Sequence, residues 1–307
     1  MTQPSPPLAE AGDVAPTRWD GSVRGRPAVA AKSRMRRWIS GVVIRLVVLA
    51  VLAWMTFPVL WILRASLLPG HASLVLPPQL LFEPTFENYW DTLTQSSFPR
   101  YFLNSLIVGG GSTALALLLG FPAAFALTRY RFPGRDSLGL YILSTRAALP
   151  VIGLIAFYVE FSRLGLLDTQ LGLAIAYLSF NLPFAIWLLS GFIEQSPKDL
   201  EEAAMVDGTS QLGAMWHVTL PLVASGTAVT AMLCLLFSIN EFLFAAVLTS
   251  DQAKTATVAV YGFLGQDSLD WGSMTATSLL VAIPVLVFAL AVRRNLVTGL
   301  SFGALNQ

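Results

Sequence analysis

Residues 197–222 read PKDLEEAAMVDGTSQLGAMWHVTLPL, the most polar stretch between the first long apolar run and the end of the chain. Pro197 suits the first helical position, where the N–H it lacks would have had no partner, and helix formers follow from Lys198 to Val206. Asp207-Gly208 breaks that run. The pattern predicts a short helix, a glycine turn, and a second short helix from about Thr209. On the second helix Leu212, Trp216 and Val218 stand among polar neighbours until Pro221 opens the next apolar run. Such a hairpin, with one apolar face and one wet face between two membrane-length segments, is built to lie against something.

Composition places the rest of the chain in a membrane. Of 307 residues 55% are hydrophobic and 12% charged, and the mean hydropathy is +0.65, beyond what a soluble domain carries. The formal charge of +1 says little about partners, because in a membrane protein the position of each charge matters more than the sum. No nucleic-acid partner is expected. Cys234, the single cysteine, sits in an apolar run, so an intrachain disulfide is impossible and a small core residue is expected.

Residues 1–40 are rich in Pro, Ala, Gly and Arg without apolar periodicity, and predict a disordered tail. Six apolar runs follow, at about 41–63, 102–127, 138–161, 171–192, 221–249 and 271–292, with residues 295–307 as a C-terminal tail. The first is too long for a signal-peptide core and lacks a cleavage site, so it reads as a retained span. The second carries Gly109, Gly110, Gly111, Gly120, Ala123, Ala124 and Ala126, small residues that let helices pack closely where lipid supplies no hydrophobic drive. Six spans put both termini on one side. That side then holds 14 of the 19 Lys and Arg: eight up to Arg45, then Arg129, Arg131, Arg135, Lys198, Arg293 and Arg294. The positive-inside rule makes it the cytoplasmic side, together with the 197–221 loop.

Glu202-Ala203-Ala204, then Gly208, then Val218 and Leu220-Pro221 resemble, in residue type and spacing, the EAA loop of ABC-transporter permeases. The resemblance runs from about Pro58 onward and is to the carbohydrate-importing branch, typified by the second membrane subunit of the maltose importer. It is carried by the external Pro77-Pro78 to Asn88-Tyr89 segment, Asn104-Ser105, the run AAFALTRYRFPG at 123–134, GLLDT at 165–169, Pro183, Asn240-Glu241-Phe242, and Gly299-Leu300 with Gly303-Ala304. Departures are Ile239, where that branch often has Trp, and Asn306-Gln307 in place of a final Lys-Gly.

The resemblance implies an all-α polytopic fold of the type I ABC importer permease class. Its implied partners are a second permease, a homodimeric pair of ATPase subunits, an extracytoplasmic sugar-binding protein and the bilayer. It also implies a location in a bacterial inner membrane, both termini cytoplasmic. Glu201, Glu202, Ala203, Ala204, Asp207, Gly208, Leu220 and Pro221 would form the ATPase-coupling loop, with Glu202 offering a charge to an arginine of the ATPase; the bland alternative for Glu202 is a solvated first-turn charge.

Within the spans, Arg146 is costly unless paired or facing water, and either a functional role or a pairing with a neighbouring subunit answers that cost. Asn240, Glu241 and Phe242 combine planar hydrogen-bonding groups with an aromatic ring, which suits a sugar pathway and equally suits packing against a partner permease. No Gly-x-x-x-x-Gly-Lys-Ser/Thr loop occurs, so ATP and Mg belong to partner subunits; the chain is not expected to be an enzyme or to carry a cofactor. His71 and His217 lack companions at metal-ligand spacing, and no metal is expected. The expected solute is a sugar or oligosaccharide, with a polyol or glycerol phosphate as the alternative. An ion-coupled carrier is the remote rival, opposed by the near isolation of Glu241 among the apolar runs.

Overall fold

The computed structural model describes the backbone at residues 27–69, 82–263 and 270–304, and the side chains within them apart from 27–40, 147–152 and 292–304. Every secondary-structure element among the described residues is helical. In chain order they are α1 (Pro27–Ser66), α2 (Glu87–Thr94), α3 (Phe98–Arg129), α4 (Arg135–Leu164), α5 (Gln170–Glu194) and α6 (Asp199–Val206). There follow α7 (Gln211–Ala214), a π-helical turn (Met215–Thr219), α8 (Leu220–Leu222), α9 (Ala224–Asn240), α10 (Leu243–Leu248), α11 (Ala256–Tyr261) and α12 (Trp271–Ala304). The chain divides into two units, Met1–Pro58 and Val59–Gln307. The described part of the first unit is the N-terminal stretch of α1; all that follows concerns the second.

Four helical segments among the described residues are long and apolar enough to cross a membrane: Gly41–Ser66, Phe98–Arg129, Gln170–Glu194 and Trp271–Ala291. A fifth is reached if Gln211–Leu222 and Ala224–Asn240, bent by 80°, are taken as one. The expected third span, α4, is a 30-residue helix whose side chains at 147–152 lie outside the described residues. The described residues thus support four or five spans where six were expected.

Three boundaries are corrected. Helix α1 starts at Pro27, inside the stretch expected to be a disordered tail, because Ala- and Arg-rich residues 28–37 are good helix formers once a long apolar helix follows them. Helix α12 continues to Ala304, through most of the expected C-terminal tail. The fifth span is not one helix over 221–249: Pro221 and Leu222 belong to the coupling arm, α9 starts at Ala224 and ends at Asn240, and Glu241-Phe242 interrupts it before α10. Residues 1–26, Pro77-Pro78 and Asn306-Gln307 lie outside the described residues.

The bundle is centred on α3, whose small residues meet neighbours much as expected. A Cβ on Gly109 would come within 3.3 Å of Leu235 and Ser238, and one on Gly120 within 3.3 Å of Ala185, so α3 approaches α9 and α5 at backbone range. Gly110 and Gly111 face open space and do not take part. One apolar cluster joins Phe121, Phe125, Leu189, Ile193, Met215, Val223 and Cys234, and a second joins Val108, Phe161, Tyr177, Phe244 and Leu248. Cys234 is buried and free. Between the clusters the fully buried Asn181 donates to Ser112 Oγ (3.0 Å) and Ser238 Oγ (2.8 Å), a polar tie through α3, α5 and α9.

Candidate functional site

The arm over 197–222 forms the expected helix–turn–helix, with a shifted start. Lys198, not Pro197, caps α6, whose first turn carries Asp199, Glu201 and Glu202 where a helix N-terminus favours negative charge. The turn is closed by Gly208 at φ +94, a left-handed geometry that glycine adopts without strain, while its N–H and that of Thr209 donate to Met205 O and Ala204 O at 3.1 and 3.0 Å. Ser210 then caps α7, its hydroxyl accepting from Gly213 N at 3.1 Å. The arm leaves the bundle abruptly, meeting α9 at 80°.

Which face is buried differs from the sequence expectation. Leu212 is 66% exposed, whereas Ala214, Met215 and Thr219 are buried. The π-helical turn over Met215–Thr219 supplies the reason: its wider step moves residues off the 3.6-residue stripe that the pattern assumed. Trp216 still touches the bundle, its ring 5.7 Å from Phe121.

Glu201 and Glu202, grouped together by sequence, part company here. Glu201 is buried and turned inward onto Arg129 at the end of α3. Arg129 Nε lies 3.0 and 2.9 Å from the two carboxylate oxygens and Nη2 2.7 Å from Oε1. Thr219 donates to Oε1 at 2.9 Å, and Arg129 Nη2 also reaches the carbonyl and hydroxyl of Ser196 at 3.2 and 2.7 Å. Both side chains are nearly sealed, at 5% and 6% exposure. Glu201 is therefore an internal brace, and its expected place among outward-facing contacts is corrected. Glu202, Ala203, Asp207, Gly208 and Pro221 are exposed, and Ala204 and Leu220 half-buried. A cleft of about 510 Å³ beside them is lined by Ala203, Ala204, Asp207, His217, Val218 and Pro221.

The intramembrane candidates also separate. Arg146, Asn240 and Glu241 share a cleft of about 380 Å³ with Phe180, Phe237 and Phe244. Phe242 does not line it; its ring stacks on Tyr261 at 4.4 Å, which takes Tyr261 out of the membrane-edge role its position suggested. The Arg146 guanidinium sits 4.4 Å from the ring centroids of both Phe184 and Phe237. Glu241 Oε1 accepts from Phe244 N at 3.1 Å, closing the break between α9 and α10.

One cluster was missed as a unit. Asp168, at φ 54, accepts hydrogen bonds from the backbone N–H groups of Ser250, Asp251, Gln252 and Ala253 at 3.0–3.2 Å. Partial burial pushes its carboxyl up, but the four backbone donors outweigh that and hold it at about 2. Asn104 donates to Gln252 O and Lys254 O, and Ser105 Oγ accepts from Ala256 N. Sequence reading held Asn104-Ser105 and Asp168 only as separate points of resemblance; an aspartate opposite a polar Ser-Asp-Gln loop was the available signal. Among the described residues no group of His, Cys, Asp and Glu is arranged to hold a metal.

A helical membrane bundle that carries a braced, outward-facing helical arm is the architecture of an importer's membrane component. Residues 28–300 match the family described as binding-protein-dependent transport system inner membrane component, and the chain belongs to that family. It is 34% identical over 254 residues to the trehalose/maltose transport system permease protein MalG of Thermococcus litoralis, covering 81% of this chain and 91% of that protein. It is 37% identical over 260 residues to the trehalose transport system permease protein SugB of Mycobacterium tuberculosis, covering 83% and 93%. The fold is shared with a chain of a bacterial ABC transporter that imports the acidic polysaccharide alginate, at a TM-score of 0.68, 24% identity and coverage of 83% of this chain and 96% of that one. The protein is thus a multi-pass inner-membrane permease subunit, of the all-α class expected.

Proposed function

We propose that this chain is one of two permeases in an ATP-driven, binding-protein-dependent importer of a sugar or oligosaccharide, and that the arm at 197–221 couples it to the ATPase. The carbohydrate class is supported by the trehalose, maltose and diacetylchitobiose importers among its relatives. In this reading a second permease completes the pathway, two ATPase subunits bind ATP and Mg beneath it, and an extracytoplasmic binding protein delivers the solute. Both termini and the arm face the cytoplasm, consistent with the bias of Lys and Arg.

The observation that carries the coupling role is the division of labour along α6: Glu201 is locked to Arg129 while Glu202, Ala203, Met205 and Val206 point outward. A helix gripped on one side and bare on the other passes a push from a docked subunit into α3 without bending. Glu202 presents its charge to an arginine of the ATPase, and Ala203 lets the two backbones approach. A polyol or glycerol phosphate importer of the same design is the second reading for the solute.

The test uses the complex with its partner permease, ATPases and binding protein, reconstituted in lipid. Glu202→Ala together with Val206→Asp is expected to lower binding-protein-stimulated ATP hydrolysis at least about tenfold while the permease pair still copurifies, since a docked hydrophobic and charged contact is lost. Undiminished stimulation and transport in that variant would remove the arm from coupling. Failure of any ATPase to copurify with the wild-type chain would remove the importer reading itself.

A further inference from the structure

We propose that the cleft between α4, α5 and the α9–α10 break is a solute-binding site of this subunit, taking a neutral polyhydroxylated solute through Arg146, Asn240 and Glu241 above the rings of Phe180 and Phe237. This rests on the carbohydrate-importer reading given above and adds to it a direct contact of this chain with the solute.

Arg146 is the first ground. Among the described residues it makes no ion pair and no hydrogen bond; its contacts are the faces of Phe184 and Phe237, both 4.4 Å away and edge-to-face with each other at 5.1 Å. Two π faces hold the guanidinium plane in place and leave its rim of N–H donors unsatisfied. A charge within a membrane helix is tolerated where it meets water, an anion or a hydrogen-bonding ligand.

The α9–α10 break is the second ground. Glu241 takes an extended conformation between the two helices and its carbonyl accepts from Tyr177 Oη at 3.4 Å. Interrupted helices at membrane depth occur where backbone lines a cavity or is buried in protein, and in transporters they mark the solute position. Depth agrees, since Phe180 lies ten residues beyond Gln170, the first residue of α5, or ~15 Å along the helix.

The donor set selects the solute class. Arg146 supplies N–H donors only, the Glu241 carboxylate acceptors only, and Asn240 both. One positive and one negative side chain facing the same space leave no net charge for an ionic solute to answer. Hydroxyl groups donate and accept, so a sugar or polyol satisfies all three, and its C–H faces suit the exposed aromatic rings. At about 380 Å³ the cleft admits one or two sugar rings at a time, as in stepwise passage.

The complex with its partner permease, ATPases and binding protein is reconstituted in liposomes, and uptake of radiolabelled trehalose, maltose, mannitol and galacturonate is measured. Arg146→Gln and Glu241→Gln are each expected to raise the half-saturation concentration for the neutral solute transported by at least about tenfold, the effect of losing a charge-assisted hydrogen bond. Arg146→Lys, which keeps the charge but not the planar fork, should recover only part of the loss. A direct readout comes from Asn240→Cys. The one native thiol, Cys234, is buried, so N-ethylmaleimide should modify this chain at position 240, more slowly when the transported solute is present.

Unchanged uptake in both Gln variants, or labelling at 240 that is indifferent to solute, overturns the site. So does loss of the partner permease from the Arg146→Gln complex with normal solute protection absent, which would make Arg146 an assembly residue. Uptake of galacturonate alone overturns the neutral class. A wild-type complex that transports none of the four overturns the carbohydrate reading beneath the proposal, so the two failures are told apart.

Discussion

Asp168 and Glu201 are both carboxylates that tie distant segments of the chain, yet they are held in opposite ways. Asp168, in the turn between α4 and α5, accepts four backbone N–H groups from residues 250–253 and stays partly open to solvent. Glu201, in the coupling arm, is sealed and held by the guanidinium of Arg129 and the hydroxyl of Thr219. Backbone donors are part of the main chain and cannot swing away, so the Asp168 clamp fixes a loop shape. A side-chain ion pair has rotamers at both ends, so the Glu201 brace transmits force when closed and is able to release. The end that must answer an ATPase is built from the switchable kind of contact.

The largest expected effect comes from breaking the brace. Arg129→Met leaves Glu201 buried without its counter-charge and should cost about 3–5 kcal/mol in unfolding of the purified chain in mixed micelles. The double variant Arg129→Met/Glu201→Leu should recover much of that loss, because two apolar side chains leave no stranded charge. Equal instability of the single and double variants would mean that the packing around Arg129 matters and the charge pair does not.

A middle case sharpens the contrast. Asn181 ties α3, α5 and α9 through neutral hydroxyl groups, with neither charge nor backbone donors. Asn181→Leu should lower stability in the same assay by about 1–2 kcal/mol, the range for interhelical hydrogen bonds in membranes. A cost as large as that of Arg129→Met would erase the distinction drawn between charged and neutral ties.

The smallest effect is the pH response of the Asp168 clamp. Its carboxyl titrates at about 2 in the folded chain against 3.8 for an unperturbed aspartate. The contribution is therefore complete above about pH 5, begins to fall near 3.8 and is lost as pH drops through 2. Solvent screening at this partly open site brings the value to about 1 kcal/mol. Asp168→Asn should remove that acid-range slope from the stability profile while leaving the Arg129→Met effect unchanged; a slope that persists in the Asn variant would assign it to other carboxylates.

How much of this was legible depended on whether the signal was local. The glycine turn at 207–208 was readable because only a left-handed residue reverses the chain there, and the small residues of α3 were readable because close helix packing demands them. The buried face of the arm was not, since a π-helical turn leaves no periodic mark before the fold imposes it. The break at Glu241-Phe242 was hidden for a similar reason: the apolar run continues through it, and only Tyr177, Phe244 and Tyr261 supply the contacts that hold an interrupted helix. Glu201 and Glu202 are the same residue type in adjacent positions, and nothing in their order says which one turns inward.

The amino-acid sequence by itself determined that the chain is a helical membrane protein with a polar helical arm, because hydropathy, glycine geometry and the placement of Lys and Arg act locally and need no partner. Only the tertiary structure decided that Glu201 braces the arm against Arg129, that Asp168 gathers four N–H groups from a loop more than eighty residues away, and that Arg146 meets Asn240 and Glu241 across one cleft. Those pairings are long-range, and their energy exists only after packing has brought the segments within bonding distance and removed the water between them.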